Sequence, residues 1–202
     1  MSVPDLRVTG VVLAGGRSRR FGRDKLAEPY GDGVLLHRPV LLLREVCDEV
    51  VIVLAPDVPE PATPPGIDVV FARDAEVDAG PLVGVVAGLT AARGGWAVVV
   101  GGDMPDLQHA VLLEMLRAGH ETGAVAIALS DGGDARPLPS VLRVGPALVA
   151  AERLLATDRR RLRDLLADVH TVVIDEPTWT ALDPERRTLL DIDEASDLER
   201  RR

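Results

Sequence analysis

At 202 residues the chain is long enough for one α/β domain with a real core, and its 47% apolar content fits a globular protein. A net charge of −9 excludes general nucleic-acid binding, which needs a broad basic face. No apolar run can span a bilayer, the N-terminus reads as a first strand rather than a signal peptide, and the lone Cys47 permits no internal disulfide, so a cytoplasmic protein without membrane attachment is expected.

Residues 8–14 form a short apolar run ending in Gly15-Gly16, which suits a central parallel strand buried on both faces. Residues 34–47 read as a helix with Leu35, Leu36, Leu42, Leu43 and Val46 on one side and Pro39 near its first turn. Residues 49–54 are a second strand, Pro56 to Pro65 a loop, and 68–72 a third strand. Pro81 to Arg93 reads as a helix with proline near its start, and 96–101 as a fourth strand. Leu107, Val111, Leu112, Met115 and Leu116 repeat at helical spacing. Strands are expected at 124–129, 138–142 and in Thr171–Asp175, with one or two arginine-rich helices over 146–167. This alternation predicts an α/β fold: a single Rossmann-like domain over 1–202, with a mostly parallel sheet and helices on both faces.

Lys25 is the only lysine beside 22 arginines. It follows Arg17, Arg19, Arg20 and Arg23 in a local patch of about +4. A compact, rotatable ammonium kept among planar guanidinium forks suggests a site that needs the smaller group, with phosphate as the natural ligand. Gly15 and Gly16 let the backbone approach a ligand, and their N–H groups can form an anion-binding concavity. The loop is neither a Walker loop nor a dinucleotide fingerprint, and an ordinary strand-to-helix turn with a solvated arginine face is the alternative. Asp103, just past the fourth strand, can ligate Mg²⁺ or cap the turn before Pro105. Both features fall at the carboxyl ends of strands, where open α/β sheets bind ligands. The four histidines lack paired-ligand spacing, Cys47 reads as a core residue, and Asp158 to Arg163 as a solvated helix face or a substrate or partner contact.

Leu13-Ala14-Gly15-Gly16-x-Ser18-x-Arg20-Phe21-Gly22-x-Asp24-Lys25 resembles the signature of the molybdenum cofactor guanylyltransferase family, with Phe21 in place of its usual Met. Arg73-Asp74 with Gly80-Pro81-Leu82-Val83-Gly84, then Gly102-Asp103-Met104-Pro105, then Leu190 to Leu198 follow in family order, so the resemblance covers essentially the whole chain. It implies a nucleotidyltransferase-type fold and transfer of GMP from GTP to molybdenum-molybdopterin, with release of pyrophosphate and Mg²⁺ as cofactor. In it Leu13, Ala14, Gly15, Gly16, Gly80 and Pro81 line the nucleotide, and Arg20 and Lys25 meet its phosphates. Asp74 meets the nucleoside, Asp103 holds the metal, and Lys25 and Asp103 form the catalytic pair. Gly15 and the Gly80–Gly84 segment match the guanine branch better than the cytidine branch. Asp191, Asp193 and Glu194-Ala195 depart from the family's closing motif, and Arg136-Pro137 falls in a loop position near the second substrate. Molybdoenzymes or cofactor-insertion proteins are the partners so implied. A cytidylyltransferase or other small-phosphate nucleotidyltransferase, and a non-catalytic nucleotide sensor or delivery partner, are the competing readings.

Overall fold

The computed structural model describes residues 7–15, 24–75 and 80–199. Strand β1 (Val8–Leu13) is flanked by β4 (Glu49–Leu54) and β6 (Trp96–Gly101), both parallel to it. The chain first winds outward through β4 to β5 (Val70–Arg73), then crosses back over β1 to lay down β6 on the other side. Beyond β6 lie β8 (Asp134–Arg143), β7 (Ala126–Asp131) and β9 (Thr171–Ile174), giving the order β5-β4-β1-β6-β8-β7-β9. Only β8 runs against its neighbours, so the expected mostly parallel sheet is present with one antiparallel member. The reversal of winding makes the crevice between the carboxyl ends of β1 and β6 a topological switch point, where such sheets take ligands.

Both faces are covered because the central strands are apolar at nearly every position, Thr9 of β1 and Glu49 of β4 being exceptions. Along β4, Ile52 and Leu54 face one core while Val51 and Val53 face the other. Helices α1 (His37–Val46) and α3 (His109–Thr122) close the first face with Val40, Leu43, Val111 and Met115. Helices α2 (Pro81–Ala91), α4 (Val144–Leu155) and α5 (Leu162–Asp168) close the second with Leu82, Val85, Leu89, Leu154 and Leu165. Truncating one such fully buried residue, Leu43 for example, would cost about 2–5 kcal/mol.

Several boundaries differ from expectation. The first helix starts at His37, because residues 29–34 form a small hairpin of β2 (Pro29–Tyr30) and β3 (Gly33–Val34). Leu35 therefore packs in a separate apolar cluster rather than on the helix. The segment 146–167 is two helices, and Asp158 to Arg161 lie in the turn between them, with Asp158 in the left-handed region, so only Arg163 is on a helix. Arg136 and Pro137 belong to β8, not to a loop. Two short helices, α6 (Glu176–Leu182) and α7 (Ala195–Glu199), complete the chain, with Trp179 of α6 fully buried. Among the described residues no helix is long and apolar enough to cross a membrane.

Candidate active site

The ladder continues past the strand ends and holds the two loops in register. The N–H of Ala14 donates to the Val53 carbonyl (2.8 Å), and the N–H of Gly102 donates to the Leu13 carbonyl (3.0 Å). Leu13, Ala14 and Gly15 are thus placed beside the loop that carries Asp103. Gly101 has no Cβ because one would lie 2.4 Å from Asp103 Oδ1; the carboxylate folds back over that position.

Lys25 reaches the crevice from a 3₁₀ turn, Lys25–Ala27, capped by Asp24, whose Oδ1 accepts the N–H of Leu26 (3.0 Å). Its Nζ donates to Asp103 Oδ2 (2.7 Å) and to the Ile192 carbonyl (2.7 Å), and Asp193 Oδ1 lies 3.8 Å away. The lysine side chain is 14% exposed and that of Asp103 is 28% exposed, so water screens this pair only partly. Residues 78 and 167 positions apart in sequence therefore meet on one ammonium. Sequence reasoning placed Lys25 and Asp103 on one sheet edge; it missed Ile192, whose contribution is a main-chain carbonyl that no side-chain pattern signals.

The closing segment adds charge. Asp191 is raised above the usual carboxylate range, first by burial, then by the charges of Asp193 and Asp103, with Arg136 acting in the opposite sense. Arg136, on β8, pairs with Asp131 (3.5 Å).

Asp74 occupies the other end of the crevice. Its N–H donates to the Leu54 carbonyl (2.9 Å), fixing it just past β5. Its Oδ1 is buried without a hydrogen-bond partner among the described residues, and burial pushes its pKa up to about 6. The carboxylate sits in a slot between two glycines. A Cβ on Gly15 would lie 3.0 Å from Oδ2, and one on Gly84 would lie 3.2 Å from Oδ1. Gly80 and Pro81 open helix α2 one turn before Gly84, and the N–H of Leu82 donates to the Arg160 carbonyl (3.3 Å). Gly16 and Arg20 lie outside the described residues.

A buried carboxylate oxygen without a donor costs free energy, even where the residue as a whole is half-buried as Asp74 is. The crevice therefore joins two chemistries: a satisfied cation–carboxylate pair, and an acceptor lacking its donor. Among the described residues no group of three or more His, Cys, Asp or Glu gathers to hold a metal. The oxygen donor at Asp103 fits Mg²⁺ nonetheless, because that ion is usually held by one or two carboxylates together with substrate phosphates and water.

Residues 10–172 match the family model for the MobA-like NTP transferase domain. A protein of Chloroflexus aggregans named a probable molybdenum cofactor guanylyltransferase is 32% identical over 197 residues, covering 96% of this chain and 92% of that protein. The molybdenum cofactor guanylyltransferase of Pseudomonas putida is 37% identical over 161 residues, covering 77% and 80%. The crystal structure of molybdopterin-guanine dinucleotide biosynthesis protein A from Archaeoglobus fulgidus superposes with a TM-score of 0.75 at 21% identity over 96% of each chain, a likeness of fold.

Proposed function

We propose, from the premise that this chain belongs to the MobA-like NTP transferase family, that it transfers GMP from GTP to molybdenum-molybdopterin. The product is molybdopterin guanine dinucleotide, and pyrophosphate leaves. The observation that carries the reading is the Lys25–Asp103 pair, assembled at the switch point opposite the glycine slot of Asp74.

The acceptor phosphate forms a new bond to the α-phosphorus as the bond to the bridging oxygen of pyrophosphate breaks. A phosphate monoester is already anionic, so no covalent intermediate on the protein is required. The difficulty is gathering anions and stabilising the charge that grows on the leaving group. The main chain of Leu13, Ala14 and Gly15 approaches the nucleotide without side-chain obstruction. Lys25 turns its ammonium toward the phosphates, and Gly16 and Arg20, outside the described residues, are assigned to the nucleotide by their place in the sequence motif. Asp74, between Gly15 and Gly84, accepts donors of the nucleoside, with Gly80 and Pro81 forming the wall beside it. Asp103 would hold Mg²⁺ with the phosphates, and that ion would supply positive charge where pyrophosphate departs.

Incubating the purified protein with Mg²⁺, GTP and molybdenum-loaded molybdopterin should release pyrophosphate and form the dinucleotide. No release under these conditions would sink the reading. A competition between GTP and CTP tests the base, and a clear preference for CTP would move the protein to the cytidylyl branch. Full complementation of a deletion strain by Asp103→Asn would point instead to a non-catalytic sensor or delivery partner for molybdoenzymes. The cytoplasm, where GTP and the reduced pterin are at hand, is the compartment this role requires.

A further inference from the structure

Apart from the two cores on the sheet faces, the molecule has a third apolar cluster. Tyr30, Leu35, Ile192 and Leu198 form it, with Leu26 packed against it. Ile192 and Leu35 are fully buried. The cluster joins three stretches that are remote in sequence: the 3₁₀ turn carrying Lys25 with the hairpin after it, the loop carrying Asp103, and the closing segment. Tyr30 supplies the second of these links, because its hydroxyl donates to Asp106 Oδ1 (3.1 Å), three residues past Asp103.

The main chain of Ile192 touches both members of the pair. Its carbonyl accepts from Lys25 Nζ (2.7 Å), and its N–H donates to the Asp103 carbonyl (2.9 Å). The turn that follows is fixed by Asp197, whose Oδ2 accepts the N–H groups of Asp193 (3.2 Å) and Glu194 (2.9 Å). Ile192 and the turn after it lie outside residues 10–172, the part that matches the family model, whereas Lys25 and Asp103 lie inside it.

We infer that Ile192 is a positioning residue for Lys25 and Asp103: its buried side chain anchors the closing segment, and its main chain sets where the ammonium stands relative to the carboxylate. A lysine side chain loses more rotamer freedom on ordering than almost any other. A main-chain carbonyl is a good fixed partner for it, since that oxygen has no rotamers of its own and does not titrate. Asp103 by itself would hold the ammonium at one point; Ile192 supplies the second point that defines a direction. The kinetic part of this inference rests on the GMP-transfer reading, and the spectroscopic part does not.

Because Lys25 is the only lysine, ¹⁵N-lysine labelling gives a single side-chain ammonium resonance with no assignment problem. That resonance and steady-state kinetics would be recorded for the full chain and for Ile192→Val, Ile192→Ala and Leu198→Ala. The unaltered protein should show one slowly exchanging, hydrogen-bonded ammonium. Ile192→Ala should move it toward a solvated lysine and cut turnover about 100-fold, as displacements of roughly an ångström do, with the loss chiefly in kcat rather than KM for GTP. Ile192→Val should restore both. Should Ile192→Ala fail to fold, Leu198→Ala, at the other side of the same cluster, carries the test. An unmoved resonance in a folded variant would overturn the inference, as would a loss of kcat that Ile192→Val does not restore. So would failure of both alanine variants to fold, since the cluster would then be holding up the fold rather than the pair. Unaltered protein that transfers no GMP would end the guanylyl reading, while the resonance would still decide the positioning.

Discussion

The two ends of the crevice are built on opposite plans. At one end, Lys25 is already engaged by Asp103 and the Ile192 carbonyl. At the other end, Asp74 has a buried oxygen with no partner among the described residues, held in a slot kept open by the absence of side chains on Gly15 and Gly84. The first end is prepaired and must exchange partners when an anion arrives. The second is left wanting a donor, and a ligand that supplies one relieves a standing penalty. On the proposed function, the contrast separates catalysis from recognition: positioning would belong to the end whose charges are tied down, and selectivity to the end whose acceptor is unsatisfied.

Substitutions can break this division, and the largest effect is expected at Asp103. Asp103→Asn removes the charge that aligns Lys25 and should lower kcat about 100- to 1000-fold, while GTP binding measured by calorimetry stays within a few-fold. Retained turnover would put the chemistry elsewhere. Lys25→Arg keeps the charge but replaces a point donor with a planar fork, which cannot reach Asp103 and Ile192 in the same way. Turnover should fall roughly 10- to 100-fold, and unchanged kinetics would refute the case for a small ammonium. Gly84→Ala probes the other end: its Cβ would sit 3.2 Å from Asp74 Oδ1, so KM for GTP should rise about tenfold with kcat little altered. A loss confined to kcat would erase the distinction between the ends.

The smallest effect concerns stability. The folded pKa of Asp74, about 6, lies above its ordinary 3.8, so the folded state binds the extra proton between those values. Its burial penalty is present in full above pH 6, shrinks as the pH falls through 6, and is gone below about 4. Asp74→Asn should therefore raise Tm by about 1–3 °C at pH 7 and give little or no gain at pH 4, while weakening GTP binding. An equal gain at both pH values would mean that ionisation of Asp74 is not the source. More stable and less able to bind is the signature of a residue kept for its ligand.

Much of this was legible beforehand, and the gaps have physical causes. The buried parallel strands and their covering helices follow from continuous apolar runs and helical spacing, and the Lys25–Asp103 edge follows from where those strands end. Strand β8 was foreseen only from 138 to 142, whereas it begins at Asp134 and contains Pro137 and Pro139, residues that rarely sit within a ladder. They are tolerated because the register with β7 jumps there: Ser140 pairs with Ala128, Arg136 pairs with Leu129, and the prolines fall in the irregularity between. Pairing with β6 stops at Ser140 opposite Val99, so the first half of β8, which carries Arg136, runs on beyond that pairing while still laddered to β7. The hairpin at 29–34 has two-residue strands, too short for any periodicity to register. The return of residues 190–198 to Lys25 is a long-range event, and local pattern carries no information about it.

That return has a consequence for the order in which the molecule matures. Asp74 is tied to Leu54 and walled by Gly84 and Gly15, across separations of 20, 10 and 59 residues. The ammonium bond to Ile192 must close a separation of 167 residues, and that to Asp103 one of 78. Loop closure becomes costlier with length, by about 0.6 kcal/mol per doubling, and long closures are rewarded only after the intervening structure is in place. The sheet and the glycine slot should therefore form first, with the closing segment docking late, so that substitutions at Ile192 speed unfolding while leaving the folding rate nearly unchanged. On the proposed function, the chain would then pass through a form able to grip a nucleoside before its Lys25–Asp103 pair is aligned.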